Sequence, residues 1–97
     1  MMNLNRIKRS IKRNLSSLKK DYHIRQIGLF GSYVKGGEQK KSDLDVLVEF
    51  EKPIGLFKFI GLEQKLEEIT NLKVDLVSKK ALKPHIGKHI LNEVVYL

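Results

Sequence analysis

The sequence predicts an α+β domain, because helical and strand-like patterns alternate along a short chain. Its 97 residues suit one domain, 1–97, with a single small core. Hydrophobic residues make up 41% of the chain and charged residues 31%, as in an ordinary globular protein. Apolar residues three and four apart predict helices, and short β-branched runs predict strands.

The first predicted element is an amphipathic helix near the N-terminus. Its apolar stripe has helical spacing and consists of Leu4, Ile7, Ile11, Leu15 and Leu18. Seven of the 19 Lys and Arg residues lie in residues 1–20, which contain no acidic residue. The simplest interpretation is a helix that packs on a sheet and exposes a basic face. Such a face can also attract phosphate or an acidic partner, and a membrane-surface helix or transit peptide has a similar composition.

The remaining elements are predicted in the order strand, loop, strand, helix, strand, helix. The strands cover 24–31, 43–50 and 72–78, and residues 32–42 form a loop or a short helical turn. Pro84 suits the first turn of the last helix. The middle helix is expected to place in the core Phe57, Phe59, Leu62 and Leu66.

Composition excludes several kinds of chemistry. The chain has no cysteine, which excludes disulfides, cysteine-ligated zinc and thiol catalysis, and which fits a cytoplasmic location. No apolar run approaches the ~20 residues that span a bilayer. The net charge is +8, and it belongs mainly to the N-terminal segment, because the other 77 residues hold 12 basic and 11 acidic side chains.

Two aspartates share one face of the second predicted strand. Because side chains alternate along a strand, Asp43 and Asp45 point the same way, with Cα atoms about 6.6 Å apart. The opposite face is apolar and is expected in the core: Leu44, Val46, Val48 and Phe50. Asp75 repeats this arrangement between Val74 and Leu76 in the third strand. If the two strands are neighbours, the three carboxylates converge.

Clustered carboxylates predict a cation site. They repel one another unless cations neutralise them, and hard divalent ions prefer such oxygen ligands. The alternative is that Asp43 caps a turn while Asp45 and Asp75 form surface ion pairs with nearby lysines. The preceding loop favours the site, because Gly31 and Ser32 follow a strand directly and can approach phosphate oxygens. Positive charge nearby comes from Lys35, Lys40 and Lys41.

The segment GSYVKGGEQKKSDLDVLV, together with the later Asp75 in VDLVS and the ending ILNEVVYL, resembles the DNA polymerase β-type nucleotidyltransferase superfamily. The closest resemblance is to the minimal nucleotidyltransferases, the MNT or MntA-like antitoxins. It implies a polymerase β-like core, an αβαβαβ-type mixed sheet with helices mainly on one face and the acidic site on the other face or at the edge.

The resemblance also implies transfer of AMP from ATP with release of pyrophosphate. Two Mg²⁺ ions, or Mn²⁺, would be held by Asp43, Asp45 and Asp75, and Asp75 would help to deprotonate the acceptor hydroxyl. The nucleotide would be bound by Gly31, Ser32, Lys35 and Ser42. Lys35 stands where the family often has Arg, so it keeps the charge and lacks the bidentate fork.

Proteins of this kind commonly act beside a HEPN-domain ribonuclease toxin and silence it by adenylylating a tyrosine. The implied partner is therefore a HEPN-domain toxin encoded nearby, with no membrane or direct nucleic-acid partner. Two other functions stay open: a non-catalytic antitoxin that works by binding, and a nucleic-acid-binding module that uses the basic first helix.

A few other residues allow a second interpretation. His85 and His89 have a spacing that can bind metal, but without a third ligand we expect solvent-facing or capping histidines. Ser32 lacks the G-x-S-x-G context of a hydrolase nucleophile. Tyr33 could stack on a base or simply pack.

Overall fold

The computed structural model describes residues 3–36 and 43–97, in which five α-helices accompany a four-stranded mixed sheet. The helices are α1 Leu4–Arg13, α2 Leu15–Tyr22, α3 Ser32–Lys35, α4 Leu56–Thr70 and α5 Pro84–Glu93. The strands are β1 Ile24–Phe30, β2 Leu44–Phe50, β3 Val74–Ser78 and β4 Val95–Tyr96, and a 3₁₀ turn covers Lys79–Ala81. The predicted α+β class is confirmed.

The sheet has the strand order β3-β2-β1-β4. β1 pairs antiparallel with both β2 and β4, whereas β2 and β3 are parallel and are joined through α4. In this topology the end of β1 and the beginnings of β2 and β3 meet at one edge of the sheet. This end of the sheet, which we call the acidic edge, carries the Gly31–Ser32 turn and the aspartates Asp43, Asp45 and Asp75.

The core lies between one face of the sheet and the helices α1, α2 and α4. The predicted N-terminal stripe is confirmed, since Ile7, Ile11 and Leu18 are buried and Leu4 and Leu15 pack against the same cluster. From the sheet, the core receives Ile27, Leu29, Leu44, Val46, Val48, Val74 and Leu76. These positions alternate along the strands, so Asp43, Asp45 and Asp75 are left on the opposite face.

The N-terminal segment is two helices rather than the single predicted one. Asn14 ends α1 with a non-helical backbone (φ −105°, ψ 3°), and its side-chain Nδ2 donates to the Ser10 carbonyl. Asn competes for backbone hydrogen bonds in this way, which favours a helix end over a helix interior. The apolar spacing continues across the break, so periodicity alone did not reveal it.

Two other expectations needed correction. Phe57 is 90% exposed, not in the core, because it lies on the outer side of the first turn of α4, while Leu62 and Leu66 of the same helix are buried. A fourth strand, β4, was not predicted; it is only two residues long, too short to show an alternating pattern. The 32–42 loop does begin with a helical turn, α3, and residues 37–42 lie outside the described part of the chain.

Two glutamates of α4 hold the outer edge of β3. Glu67 Oε2 accepts a hydrogen bond from the Val74 amide at 2.9 Å, and Glu63 Oε2 accepts one from the Leu76 amide at 3.2 Å. Four residues of helix rise about 6 Å and two residues of strand about 6.6 Å, so the two spacings match. Asp75 lies between the two anchored amides, and its position is therefore fixed from both sides.

No helix in residues 3–36 and 43–97 has both the length and the apolar character that a membrane crossing requires.

Candidate active site

The sheet edge brings the three predicted aspartates to one face. Asp45 and Asp75 are direct register partners on the parallel strands β2 and β3. Asp43 precedes β2 by one residue and is exposed, and the Leu44 amide that follows it bonds to the Lys73 carbonyl at 2.8 Å. The parallel pairing thus extends to the residue beside Asp43. The side chains of Asp43, Asp45 and Asp75 therefore lie at the same end of the sheet.

The carboxylates influence one another electrostatically. The pKa of Asp45 is raised from 3.8 to about 6, first by partial burial and then by the negative charges of Asp75, Asp43 and Glu93. Burial and neighbouring negative charges thus disfavour the ionised form of Asp45, and a nearby positive charge would favour it. The cluster therefore has the electrostatic character of a site that is completed by cations.

Gly31 turns the chain tightly against Asp45. Its φ of +81° belongs to a region that side chains disfavour, and a Cβ at this position would overlap the Asp45 carboxylate, lying only 2.9 Å from Cγ. The backbone of this turn and the Asp45 carboxylate are thus in direct contact. Ser32 begins α3 immediately afterwards, with its side chain partly buried beside the same edge.

Of the other predicted nucleotide-binding residues, Lys35 ends α3 and is exposed. Its Nζ lies 3.2 Å from Glu93 Oε2. Ser42, Lys40 and Lys41 lie outside the described residues. Tyr33 packs partly against the hydrophobic core.

Glu93, the last residue of α5, is a site residue that the sequence interpretation missed. Its Oε1 accepts a hydrogen bond from the Gly31 amide at 3.3 Å, and its Oε2 lies 3.7 Å from His89 Nε2. Partial burial opposes its ionisation, but hydrogen bonds from Lys35 and Gly31 and the charges of Lys35 and His89 together lower the pKa of Glu93. The ending ILNEVVYL contained this residue without indicating where its side chain lies.

The alternative of surface ion pairs gains no support from the described residues. Within 3–36 and 43–97, the ion pairs involve Glu49, Glu68 and Glu93, and none involves Asp43, Asp45 or Asp75. His85 and His89 are both exposed, in agreement with solvent-facing histidines.

A cation bound at the acidic edge would need further ligands besides the carboxylates described here. In the described ranges, no three His or acidic side chains are close enough together to form a metal-binding group. The aspartates still fit Mg²⁺ or Mn²⁺, because they supply only oxygen ligands and their mutual repulsion is evident at Asp45. Mg²⁺ commonly uses one or two carboxylates and takes its remaining ligands from substrate phosphates and water.

A cleft of 670 Å³ opens at the other end of the sheet, beside Phe50, Phe59 and Lys79. It is remote from the acidic edge, because Phe50 and Asp45 lie at opposite ends of β2. The cleft is therefore separate from the site that the sequence predicts at the three aspartates.

Comparison with known proteins agrees with this geometry. Residues 8–97 match the sequence family described as "Nucleotidyltransferase domain". A relative named protein adenylyltransferase MntA, from Thermococcus cleftensis, is 44% identical over 97 residues, which cover 100% of this chain and 98% of the relative.

Two solved structures share the fold. One, described provisionally as a minimal nucleotidyltransferase, has a TM-score of 0.85 at 31% identity and covers 99% of this chain and 97% of its own. The other is a complex of a tri-AMPylated HEPN toxin with an MNT antitoxin from Shewanella oneidensis. It has a TM-score of 0.67 at 21% identity, covering 93% of this chain and 70% of the matched one, a likeness in fold alone.

The resemblance inferred from the Gly-Ser and D-x-D motifs is confirmed by these matches, as is the polymerase β-like fold. Sequence, topology and the acidic edge agree, and the chain belongs to the nucleotidyltransferase domain family, among the minimal nucleotidyltransferases.

Proposed function

We propose that this protein transfers AMP from ATP to a tyrosine hydroxyl of a HEPN-type ribonuclease toxin and thereby acts as its antitoxin. The observation that carries the proposal is the register pairing of Asp45 with Asp75, directly beside the Gly31 turn. This arrangement places carboxylates for cations next to backbone that can approach phosphates. The relative named protein adenylyltransferase MntA supports a protein as the acceptor.

The reaction is a displacement at the α-phosphorus of ATP. A bond forms between the acceptor oxygen and the α-phosphorus, the bond from that phosphorus to the bridging oxygen breaks, and pyrophosphate leaves. Asp75 is exposed at the edge, where an acceptor hydroxyl can reach it, and in this proposal it accepts the hydroxyl proton. Asp45 is more enclosed and faces the Gly31 turn, which suits a role in holding charge.

Asp43, Asp45 and Asp75 would hold the divalent ions, Mg²⁺ or Mn²⁺. When bound, such ions neutralise the phosphate charge and stabilise the attacking and leaving oxygens. The pKa of Asp45 is raised first by burial and then by the neighbouring carboxylates, and no described lysine or arginine pairs with the three aspartates, which supports this assignment.

The β- and γ-phosphates would lie against the Gly31–Ser32 turn, with the Ser32 hydroxyl and Lys35 as donors. Gly31 permits close approach because it has no side chain, and Lys35 is exposed on the same short helix. Ser42, just before the D-x-D motif, is proposed as a further nucleotide contact. We place this reaction in the cytoplasm, where ATP is abundant.

A HEPN toxin as partner is supported by the shared fold with an MNT antitoxin that was solved in complex with its AMPylated HEPN toxin.

The test is to incubate the protein with ATP, Mg²⁺ and the neighbouring HEPN protein, and to measure AMP adducts on that protein by mass spectrometry. We expect adducts on tyrosine with the native chain, and none when EDTA is present or with the double variant Asp43→Asn/Asp45→Asn. Asp21→Asn, an exposed carboxylate on α2, is the matched control and should behave like the native chain. Equal modification by the double variant would refute the proposed mechanism.

If the toxin is neutralised without any adduct, and the double variant neutralises it as well, the protein works by binding alone. That outcome would favour a non-catalytic antitoxin.

A nucleic-acid-binding function has one observation in its favour. The outer face of α1 forms a shallow basic groove, lined by Asn5, Lys8, Arg9, Lys12 and Arg13. This alternative predicts RNA or DNA binding that weakens steeply with salt and is lost when Arg6, Arg9 and Arg13 are neutralised.

A further inference from the structure

Glu93 joins the end of the chain's last helix to the turn that follows β1. Its two carboxylate oxygens have different partners: Oε1 accepts from the Gly31 amide at 3.3 Å, and Oε2 lies 3.2 Å from Lys35 Nζ. The side chain is 19% exposed, so it is held rather than extended into water. One residue thus contacts both ends of the segment from Gly31 to Lys35.

The hydrogen bond to Gly31 has a structural reason. The Gly31 amide is the first one after β1, and its conformation (φ 81°, ψ −155°) takes the backbone away from the sheet. A partly buried amide without an acceptor is costly, and Glu93 supplies the acceptor from a residue far away in sequence. The same glycine also lies against the Asp45 carboxylate. Gly31 therefore contacts both Glu93 and Asp45.

The charge of Glu93 adds to the negative charge around Asp45, although the donors around Glu93 favour its own ionised form. It is one of the charges that raise the pKa of Asp45, so it adds to the repulsion among the aspartates. An apolar or amide side chain would avoid this repulsion. The negative charge of Glu93 is tolerated near the aspartates because the Gly31 amide and the Lys35 ammonium both donate to its carboxylate.

We infer that Glu93 is a positioning residue for the nucleotide: through its bond to the Gly31 amide it holds the Gly31–Ser32 turn against Asp45, in the conformation that receives the phosphates. This inference rests on the proposed nucleotidyl transfer. Glu93 acts through Gly31 and does not itself contact the reacting atoms. Its loss should therefore weaken nucleotide binding and raise KM for ATP, while kcat at saturation changes little.

Two conservative variants separate the hydrogen bond from the charge. Glu93→Gln keeps an acceptor oxygen at the same reach and removes the charge. Glu93→Asp keeps the charge but is one methylene shorter, and a bond of 3.3 Å leaves no slack for that loss. The control is His89→Gln, which changes a third neighbour of Glu93 and leaves its contacts with Gly31 and Lys35 in place.

The experiment measures binding of the ATP analogue AMP-PNP with Mg²⁺ by calorimetry, and kcat and KM for AMP transfer, on the full chain. We expect Glu93→Asp to raise Kd and KM about tenfold with kcat within about threefold, the scale of one lost hydrogen bond to a charged group. Glu93→Gln and His89→Gln should stay within about threefold of the native values.

Unchanged or tighter binding by Glu93→Asp would overturn the inference, as would an equal loss in Glu93→Gln, because that variant keeps an acceptor for the Gly31 amide. Circular dichroism at the assay temperature shows that each variant is folded. If the native chain itself neither binds AMP-PNP nor transfers AMP, the proposed function fails and this inference fails with it. Native activity with an unaffected Glu93→Asp variant refutes the inference alone.

Discussion

Asp45 and Asp75 face each other across the parallel pair β2 and β3, with Asp75 held on its far side by the two glutamate-anchored amides of its strand. The two carboxylates come from segments separated in sequence by the whole of α4. Their proximity therefore depends on α4, which connects β2 to β3 and brings β3 alongside β2. A shift of β3 along β2 would separate the two carboxylates.

Replacing Asp45 tests whether the acidic edge is catalytic. Asp45→Asn removes one proposed cation ligand, so AMP transfer should fall by about 100-fold or more. The same change removes a repelled, partly buried charge, so the metal-free variant should unfold at higher urea concentration than the native chain. A variant that is both less active and more stable identifies a functional residue. A loss of both properties would instead indicate a structural role for Asp45.

The raised pKa of Asp45 makes stability depend on pH in a defined direction. The folded state binds this proton more tightly, with a pKa of about 6 against 3.8, so the stabilisation is complete below pH 3.8 and is lost as pH rises through 6. Urea unfolding without metal should show Asp45→Asn gaining stability over the native chain between pH 4 and 7, by on the order of 1 kcal/mol after solvent screening. An advantage that is constant with pH would contradict the assignment.

Two glycines with positive φ differ in ψ, which is −155° at Gly31 and 14° at Gly36, and in what surrounds them. Gly31 and Gly36 have φ of 81° and 80°, but a Cβ on Gly31 would strike Asp45, whereas a Cβ on Gly36 meets no atom of residues 3–36 and 43–97 within 4 Å. Gly36→Ala should cost about 1–2 kcal/mol in the urea-unfolding free energy. Gly31→Ala should cost more, because its backbone lies in a region that essentially only glycine adopts and its Cβ would strike Asp45. Only Gly31→Ala should also displace the Asp45 carboxylate and lower AMP transfer, by about 100-fold. Similar activities for the two variants would argue against a close-packed site.

Leu66 and Phe57 provide a matched pair for the core. Leu66 is fully buried on α4, and Phe57 on the same helix is 90% exposed. Leu66→Ala should reduce the free energy of unfolding by about 2–5 kcal/mol through lost burial and a cavity. Phe57→Ala should change it by no more than about 0.5 kcal/mol. Thermal or urea denaturation checks both, and a large effect at Phe57 would show that its ring is covered in solution.

The shared face of the aspartates could be predicted because strand alternation is a local property. Asp43 and Asp45 share a face whatever the rest of the chain does, and Asp75 repeats the pattern within its own strand. That β2 and β3 are neighbours could not be read from spacing; it followed from the resemblance of the combined motif to a known family. The direct register pairing of Asp45 with Asp75 required coordinates.

Glu93 shows what local patterns leave out. Its role depends on where the last turn of α5 meets β1, a long-range relationship that leaves no periodic trace in the sequence. The prediction that Phe57 lies in the core was wrong for a related reason. Helical spacing groups residues by face but does not say how far along the helix the core extends. The break at Asn14 was missed because apolar spacing persisted through it.

The anchoring of β3 by Glu63 and Glu67 also limits how the protein can associate. An exposed outer strand is normally a template onto which another chain can add. Here the outward amides of Val74 and Leu76 already have acceptors from α4, so an incoming strand would first have to displace the side chains of Glu67 and Glu63. Association of further copies through the free side of β3 is thereby disfavoured. A folded acceptor protein could then approach the neighbouring carboxylates without pairing with β3 as an extra strand.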